Sequence, residues 1–243
     1  MTVGYDRRLN REFFGISGTF GNPDFTSDTL RVHGDSVTLL GYGGTKLGQS
    51  WGLSGHIGGD HTRYRQFRTV RDESYSSRYS SSAFMFGLEL SRGSWLGCSD
   101  FCVRPAIGYD LLALCSDGYR EDPGQTGKYA LDVSSYHQAL HRVKVGADLN
   151  WQPTRWFIAS GDAYYLSVLG DRTTYADARF VNDYDPAHAF TTSSFTVDPG
   201  FFGLGARATF LTKKHWEFSL GYNTMFGKTT TGQQAMLTAV CKF

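Results

Sequence analysis

Strict alternation near the C-terminal end constrains this chain more than any other feature. Across residues 216–226, Trp216, Phe218, Leu220, Tyr222, Thr224 and Phe226 interleave with Glu217, Ser219, Gly221, Asn223 and Met225. A period of two puts the first set on one face of a β-strand and the second on the other. A turn cluster over 227–233 leads into a second alternating run, in which Ala235, Leu237, Ala239, Cys241 and Phe243 oppose Met236, Thr238, Val240 and Lys242. An aromatic residue closing the apolar side of a strand calls for an apolar medium to meet it. The core of a soluble sandwich supplies one, and so does a membrane.

Composition separates the two. The 243 residues include Gly 29, Tyr 14, Phe 18 and Trp 5, but only Pro 6. Hydrophobic residues make up 40%, the mean hydropathy is −0.33, and no run approaches the ~20 apolar residues of a spanning helix. A transmembrane barrel gives such an average, because each strand shows lipid only at every second residue. The net charge of +1 argues against nucleic acid as a partner, since phosphate-binding domains carry a basic excess.

Residues 1–8 show no basic, apolar and cleavage regions of a signal peptide, so the expectation is a cytosolic protein or a piece of a longer precursor. The four cysteines leave the compartment open. Cys98 and Cys102 are close enough to close a small loop, while Cys115 and Cys241 have no evident partner. Finger-like spacing of a second Cys or His pair is missing, and no metal or cofactor site is expected.

Further strands follow the same rule. Phe14, Ile16, Gly18 and Phe20 share a face, and a strand over 36–45 follows a polar loop at 22–34. Trp51, Leu53, Gly55 and Ile57 oppose His56, Gly58 and Asp60 in a strand reaching about Tyr64, and the charged, serine-rich stretch 65–80 reads as a loop. Phe84, Phe86, Leu88 and Leu90 form the next apolar face, followed by Val103, Pro105, Ile107, Tyr109, Leu111 and Ala113. After a loop at 115–133 come His141, Val143, Val145, Ala147, Leu149 and Trp151, then a turn at 152–154 and a strand over 156–169. The longest loop, 171–198, precedes Phe202, Leu204, Ala206, Ala208 and Phe210.

Short and long connections alternate, and the opposing faces are rich in Gly, Ser and charge. Outer-membrane barrels have this plan: short periplasmic turns, long outer loops, a lipid-facing apolar band and a polar lumen. Trp51, Trp151, Trp156, Trp216, Tyr222 and Phe226 suit the interfacial girdles. The expected fold is all-β, a transmembrane up-and-down antiparallel barrel with about eleven strands present of a likely twelve. Bacterial single-chain barrels use even numbers. By parity the first and last strands both descend, so an ascending strand is expected before Met1.

The residues resemble the translocator domain of autotransporters, the barrel of type V secretion. Val3-Gly4-Tyr5-Asp6-Arg7-Arg8-Leu9 is similar to that family's second strand, and Gly34-Asp35-Ser36 with Leu40-Gly41-Tyr42-Gly43-Gly44 to its fourth. Phe195-Thr196-Val197, Leu204-Gly205-Ala206, the run 220–227 and Phe243 continue the likeness in order. The resemblance implies a single barrel domain over 1–243 that secretes or displays an upstream passenger. It also implies bacterial outer-membrane lipid and the barrel-assembly machinery as partners. Its first strand, plug helix and passenger are absent here, Cys241 stands where an aromatic residue is frequent, and Lys144 stands where an acidic lumen residue is expected.

Phe243, with Cys241, Ala239 and Leu237, is the expected insertion signal. Glu89, Arg104, Asp110, Arg142, Lys144, Asp148, Asp162, Arg207 and Glu217 are expected to face the lumen, pairing across the pore and around a transiting peptide. Other readings are a small pore or adhesin barrel without passenger, or a barrel-rim hydrolase. For the last, His56 and Asp60 share a face but His61 points away, and no Gly-x-Ser-x-Gly elbow accompanies the serines of 74–82. No catalytic residue is expected. Arg63, Arg65, Arg68 and Arg71 are expected in an outer loop, meeting lipid phosphates or solvent.

Overall fold

The computed structural model describes residues 1–48, 50–93, 100–122, 127–183, 185, 188–193, 196–212 and 216–241. One antiparallel sheet dominates it. Along the chain run β1 (Thr2–Arg8), β2 (Glu12–Gly21), β3 (Asp24–Thr26), β4 (Leu30–Leu47), β5 (Trp51–Val70) and β6 (Glu73–Arg92). They are followed by β7 (Phe101–Ser116), β8 (Tyr119–Arg120), β9 (Leu131–Val133), β10 (Tyr136–Thr154) and β11 (Phe157–Leu169). β12 (Tyr175–Phe180), β13 (Phe190–Ser193), β14 (Gly200–Leu211), β15 (Trp216–Phe226) and β16 (Thr231–Cys241) complete the set.

The large sheet has the order β1-β2-β4-β5-β6-β7-β10-β11-β14-β15-β16, with short β3 added beside β4. Every long strand pairs with its neighbour in sequence, so the sheet is an up-and-down meander of eleven strands that curls into an open half-barrel. Among the described residues no strand pairs with the outer edge of β1 or of β16.

The two faces differ as lipid and water differ. Ile16, Leu39, Ile57, Phe84, Ile107, Val145, Leu204, Leu220 and Leu237 are exposed on the outer face, an arrangement that only a hydrocarbon solvent tolerates over so large an area. Aromatic rings gather at the short-turn end, where Trp156 stacks on Phe210 (6.3 Å) and Trp216 on Phe218 (6.1 Å). Amphipathic rings of this kind sit at a membrane–water boundary.

Several expected loops prove to be strand. β5 and β6 run through 65–80 in unbroken register, from Trp51↔Arg92 to Val70↔Glu73. Their tip is a two-residue turn at Arg71 and Asp72, both with positive φ (47° and 68°), the geometry that matches strand twist in a hairpin. The stretch read as a loop because it is charged and serine-rich and has no continuous apolar face, yet above the bilayer none is needed. For the same reason β4 begins at Leu30 rather than residue 36, and β3 lies inside the polar segment 22–34. β10 runs on to Thr154, so the turn expected at 152–154 falls at Arg155 and Trp156.

The two longest connections are also structured. They supply a second, four-stranded sheet, β13-β12-β9-β8, docked on the β5–β6 hairpin. Tyr75, Ala130 and Val181 form a small core between them. Glu121, with its side chain fully buried, accepts hydrogen bonds from Arg68 Nε (2.8 Å), Arg68 Nη2 (2.6 Å) and Leu131 N (2.9 Å). Tyr64, Tyr79 and Tyr119 stack in a column with ring spacings of 5.0 and 5.1 Å. Burial pushes the phenols of Tyr79 and Tyr119 above their usual pKa. Arg68 therefore belongs to a buried ion pair facing inward, not to an exposed arginine set.

The polar inner face

The inner face is built from charges set beside glycines. Lys144 on β10 and Glu89 on β6 both lie opposite Gly108 of β7. With no side chain on Gly108 in the way, Lys144 Nζ donates to Glu89 Oε2 at 3.0 Å across two strand intervals. Gly87 leaves a similar gap nearby, lying between His56 and Asp110. An added Cβ there would overlap the imidazole and the carboxylate together. Asp110 stands 3.7 Å from His56 Nε2 and 3.9 Å from Arg142 Nη2.

Nearer the short-turn end, Asp148 Oδ2 accepts from Arg104 Nε (2.9 Å) and Nη2 (2.5 Å). Asp162 lies opposite Asp148 on one side and Gly205 on the other, and a Cβ on Gly205 would overlap Asp162 and Asn223. Arg207 lies opposite Ser160 and Gly221. With Asn150 and Asn223, these groups line a cleft of about 250 Å³. Glu217 sits on the same face at the start of β15, opposite Leu211 and Val240.

Of the sites expected from sequence, the structure brings eight of the nine polar-face charges into two neighbouring groups: Glu89, Asp110, Arg142 and Lys144 in one, Arg104, Asp148, Asp162 and Arg207 in the other. Leu237, Ala239 and Cys241 follow one another on the outer face of β16. Phe243, Cys98 and the Phe195 of the family-like run lie outside the described residues. His56 and Asp60 are not partnered, because Asp60 accepts from Thr38 Oγ1 (2.6 Å) and Thr62 Oγ1 (2.8 Å), while His61 faces outward toward Ser82. The glycine bridges were missed in the sequence. Their signal exists only in register, since each charge and its glycine lie far apart in the chain.

Two of these contacts are bonded ion pairs, Lys144–Glu89 and Arg104–Asp148, and Asp110 stands at longer range between His56 and Arg142, so the face carries charge of both signs.

Among solved structures, the fold is similar to the translocator domain of the autotransporter NalP from Neisseria meningitidis, with TM-score 0.79 and 16% identity over 100% of this chain and 78% of that one. The transport unit of AIDA-I from Escherichia coli gives TM-score 0.63 at 14% identity, covering 100% and 81%. The β-domain of the Bordetella autotransporter BrkA gives 0.60 at 14%, covering 98% and 85%. No curated protein sequence matches the chain. The sequence profile described as Autotransporter beta-domain matches residues 1–223, and with an apolar outer face, a charged inner face and an eleven-strand meander the chain belongs to that family of outer-membrane barrels.

Proposed function

We propose that this chain forms the outer-membrane translocator through which a linked passenger is secreted or displayed, and that its inner face transports without catalysing. Family membership supports the translocator role. The observation that carries the mechanism is the glycine-bridged charge belt, with four basic and five acidic residues at expected lumen positions. An extended segment moving over it meets neither a lasting attraction nor a continuous repulsion.

Hydrocarbon leaves no open strand edge unsatisfied, since each unpaired backbone group costs several kcal/mol there. β1 and β16 both descend, so one ascending strand between them would be antiparallel to each and would close the barrel. The C-terminal run of Leu237, Ala239, Cys241 and Phe243 serves as the segment read by the barrel-assembly machinery through strand addition.

A crosslinking experiment tests the translocator reading. A photoreactive residue at Ser160, on the inner face, should capture a stalled passenger in cells expressing the full-length protein, and one at Ala208, on the outer face, should not. Capture at Ala208 alone, or at neither while the passenger still reaches the surface, overturns the reading. Deleting Phe243 should sharply lower assembly in cells yet leave refolding in detergent largely intact, because one aromatic side chain contributes only roughly 1.5 to 3 kcal/mol of burial. Equal loss in both assays would make Phe243 a structural residue only.

A further inference from the structure

Outside the barrel wall, where β5, β6 and β8 rise beyond the apolar band, three arginines stand side by side. Arg65 and Arg78 are directly opposite across the β5–β6 pair. β8 is fastened along the edge of β6 by Asp117 N to Ser80 O (2.9 Å) and Asp122 N to Ser76 O (2.8 Å), which sets Arg120 beside Arg78. All three are exposed, and none forms an ion pair among the described residues. They border an open cleft of about 500 Å³. Like charges directly opposite each other destabilise a strand pair, so the arrangement favours an anion between them.

Among the described residues no nearby carboxylate forms an ion pair with these arginines, although Asp122 shares the cleft with them. Asp122, the acid on the cleft wall, accepts from Ser76 Oγ at 2.7 Å, and Asp117 accepts from Ser80 Oγ. Asp35 accepts from Asn22 at 2.7 Å, and Asp24 is bonded to His33. Behind the row, on the inner face, the Tyr64–Tyr79–Tyr119 column and the Arg68–Glu121 pair hold the same three strands rigid. A site held on a rigid scaffold binds with little cost of ordering.

Height selects the ligand. Reading β6 toward the long-loop end, the outer face carries Leu90, Leu88, Phe86 and Phe84, then Ser82, Ser80 and Arg78. Six residues of strand beyond Phe84 cover about 20 Å, or roughly 15 Å of height at barrel tilt. Phospholipid headgroups add only about 5–8 Å to each side of the hydrocarbon. A phosphate at the arginine row must be carried higher, on the sugars of a glycolipid. Guanidinium forks match phosphate oxygens two at a time.

We propose that Arg65, Arg78 and Arg120 dock a phosphorylated saccharide headgroup of an outer-leaflet glycolipid. The proposal rests on the outer-membrane reading above. Its test uses the full-length protein in lipid nanodiscs, challenged with lipopolysaccharide bearing core-sugar phosphates, the same material after phosphatase, phosphatidylglycerol, and inorganic phosphate. Phosphorylated lipopolysaccharide should bind at least about tenfold more tightly than the phosphatase-treated form. Arg65→Gln/Arg78→Gln should abolish that preference and Arg11→Gln, at the opposite end of the barrel, should keep it. Arg120→Gln serves if the double variant does not fold to a heat-modifiable species. Equal binding of the treated and untreated forms, a preference for phosphatidylglycerol, or binding of inorganic phosphate alone overturns the proposal. A protein that does not enter bilayers at all overturns the outer-membrane reading instead, so the two failures are distinct.

Discussion

Removing the charge of Glu121 isolates what holds the four-stranded sheet to the β5–β6 hairpin. Glu121→Gln keeps the side-chain shape but turns an amide toward Arg68, while Leu131 N competes for the single remaining oxygen. Breaking a buried ion pair by removing one partner costs about 3–5 kcal/mol. Arg68 is 22% exposed, so it recovers some hydration and the expected loss is roughly 2 to 4 kcal/mol. That loss is local, because the main sheet keeps all of its ladder bonds. Hydrogen exchange at Ala130, Leu131 and Val133 should accelerate by about 30- to 1,000-fold, with heat-modified gel mobility unchanged. Arg68→Met/Glu121→Leu should restore much of the protection at Ala130 and Val133, since a buried pair can be replaced by apolar residues of similar volume, but not at Leu131, whose N–H loses its acceptor. Unchanged exchange in Glu121→Gln, or collapse of the whole barrel, would refute the reasoning.

Three more expectations follow from the geometry. Leu220→Arg, on the exposed outer face, should destabilise the inserted barrel by roughly 2 to 4 kcal/mol, whereas Ser219→Arg should cost far less; equal effects on membrane insertion would reverse the two faces. Gly87→Ala should lower the temperature of heat modification, because its Cβ overlaps His56 and Asp110, while Gly59→Ala, with only Ala83 O at 3.5 Å, should leave it nearly unchanged. Asp198 accepts from Thr229 N (2.8 Å), Thr229 Oγ1 (2.8 Å) and Thr230 N (3.0 Å), and these bonds hold its pKa below the usual carboxylate value. A depressed folded pKa adds stability above the unfolded value, about 3.9, and that stability is lost as pH falls through the folded one. The amide shifts of Thr229 and Thr230 should thus move only below about pH 4, and Asp198→Asn should abolish the transition.

The barrel spans were legible because lipid imposes a rule on every second residue. Leu220, Leu204 and Phe84 announce their face within their own strands, and the order of short and long turns follows the same solvent. Where lipid ends, the rule ends. Residues 65–80 are charged and serine-rich with no continuous apolar face and read as loop, although Arg68, Tyr75 and Tyr79 are tied down by residues roughly forty or more positions away. The charges of the inner face were legible as types, but Lys144 and Glu89 become partners only through the register of β7 between them.

That pairing makes the barrel wall sensitive to its own curvature. Strands two intervals apart lie about 10 Å from each other along the sheet, and the tips of Lys144 and Glu89 meet over Gly108, closer together than they would stand on a flatter wall. Flattening the wall would draw the tips apart before any ladder bond lengthened. Any widening of the bore would therefore be felt at these bridges before it reached the ladder.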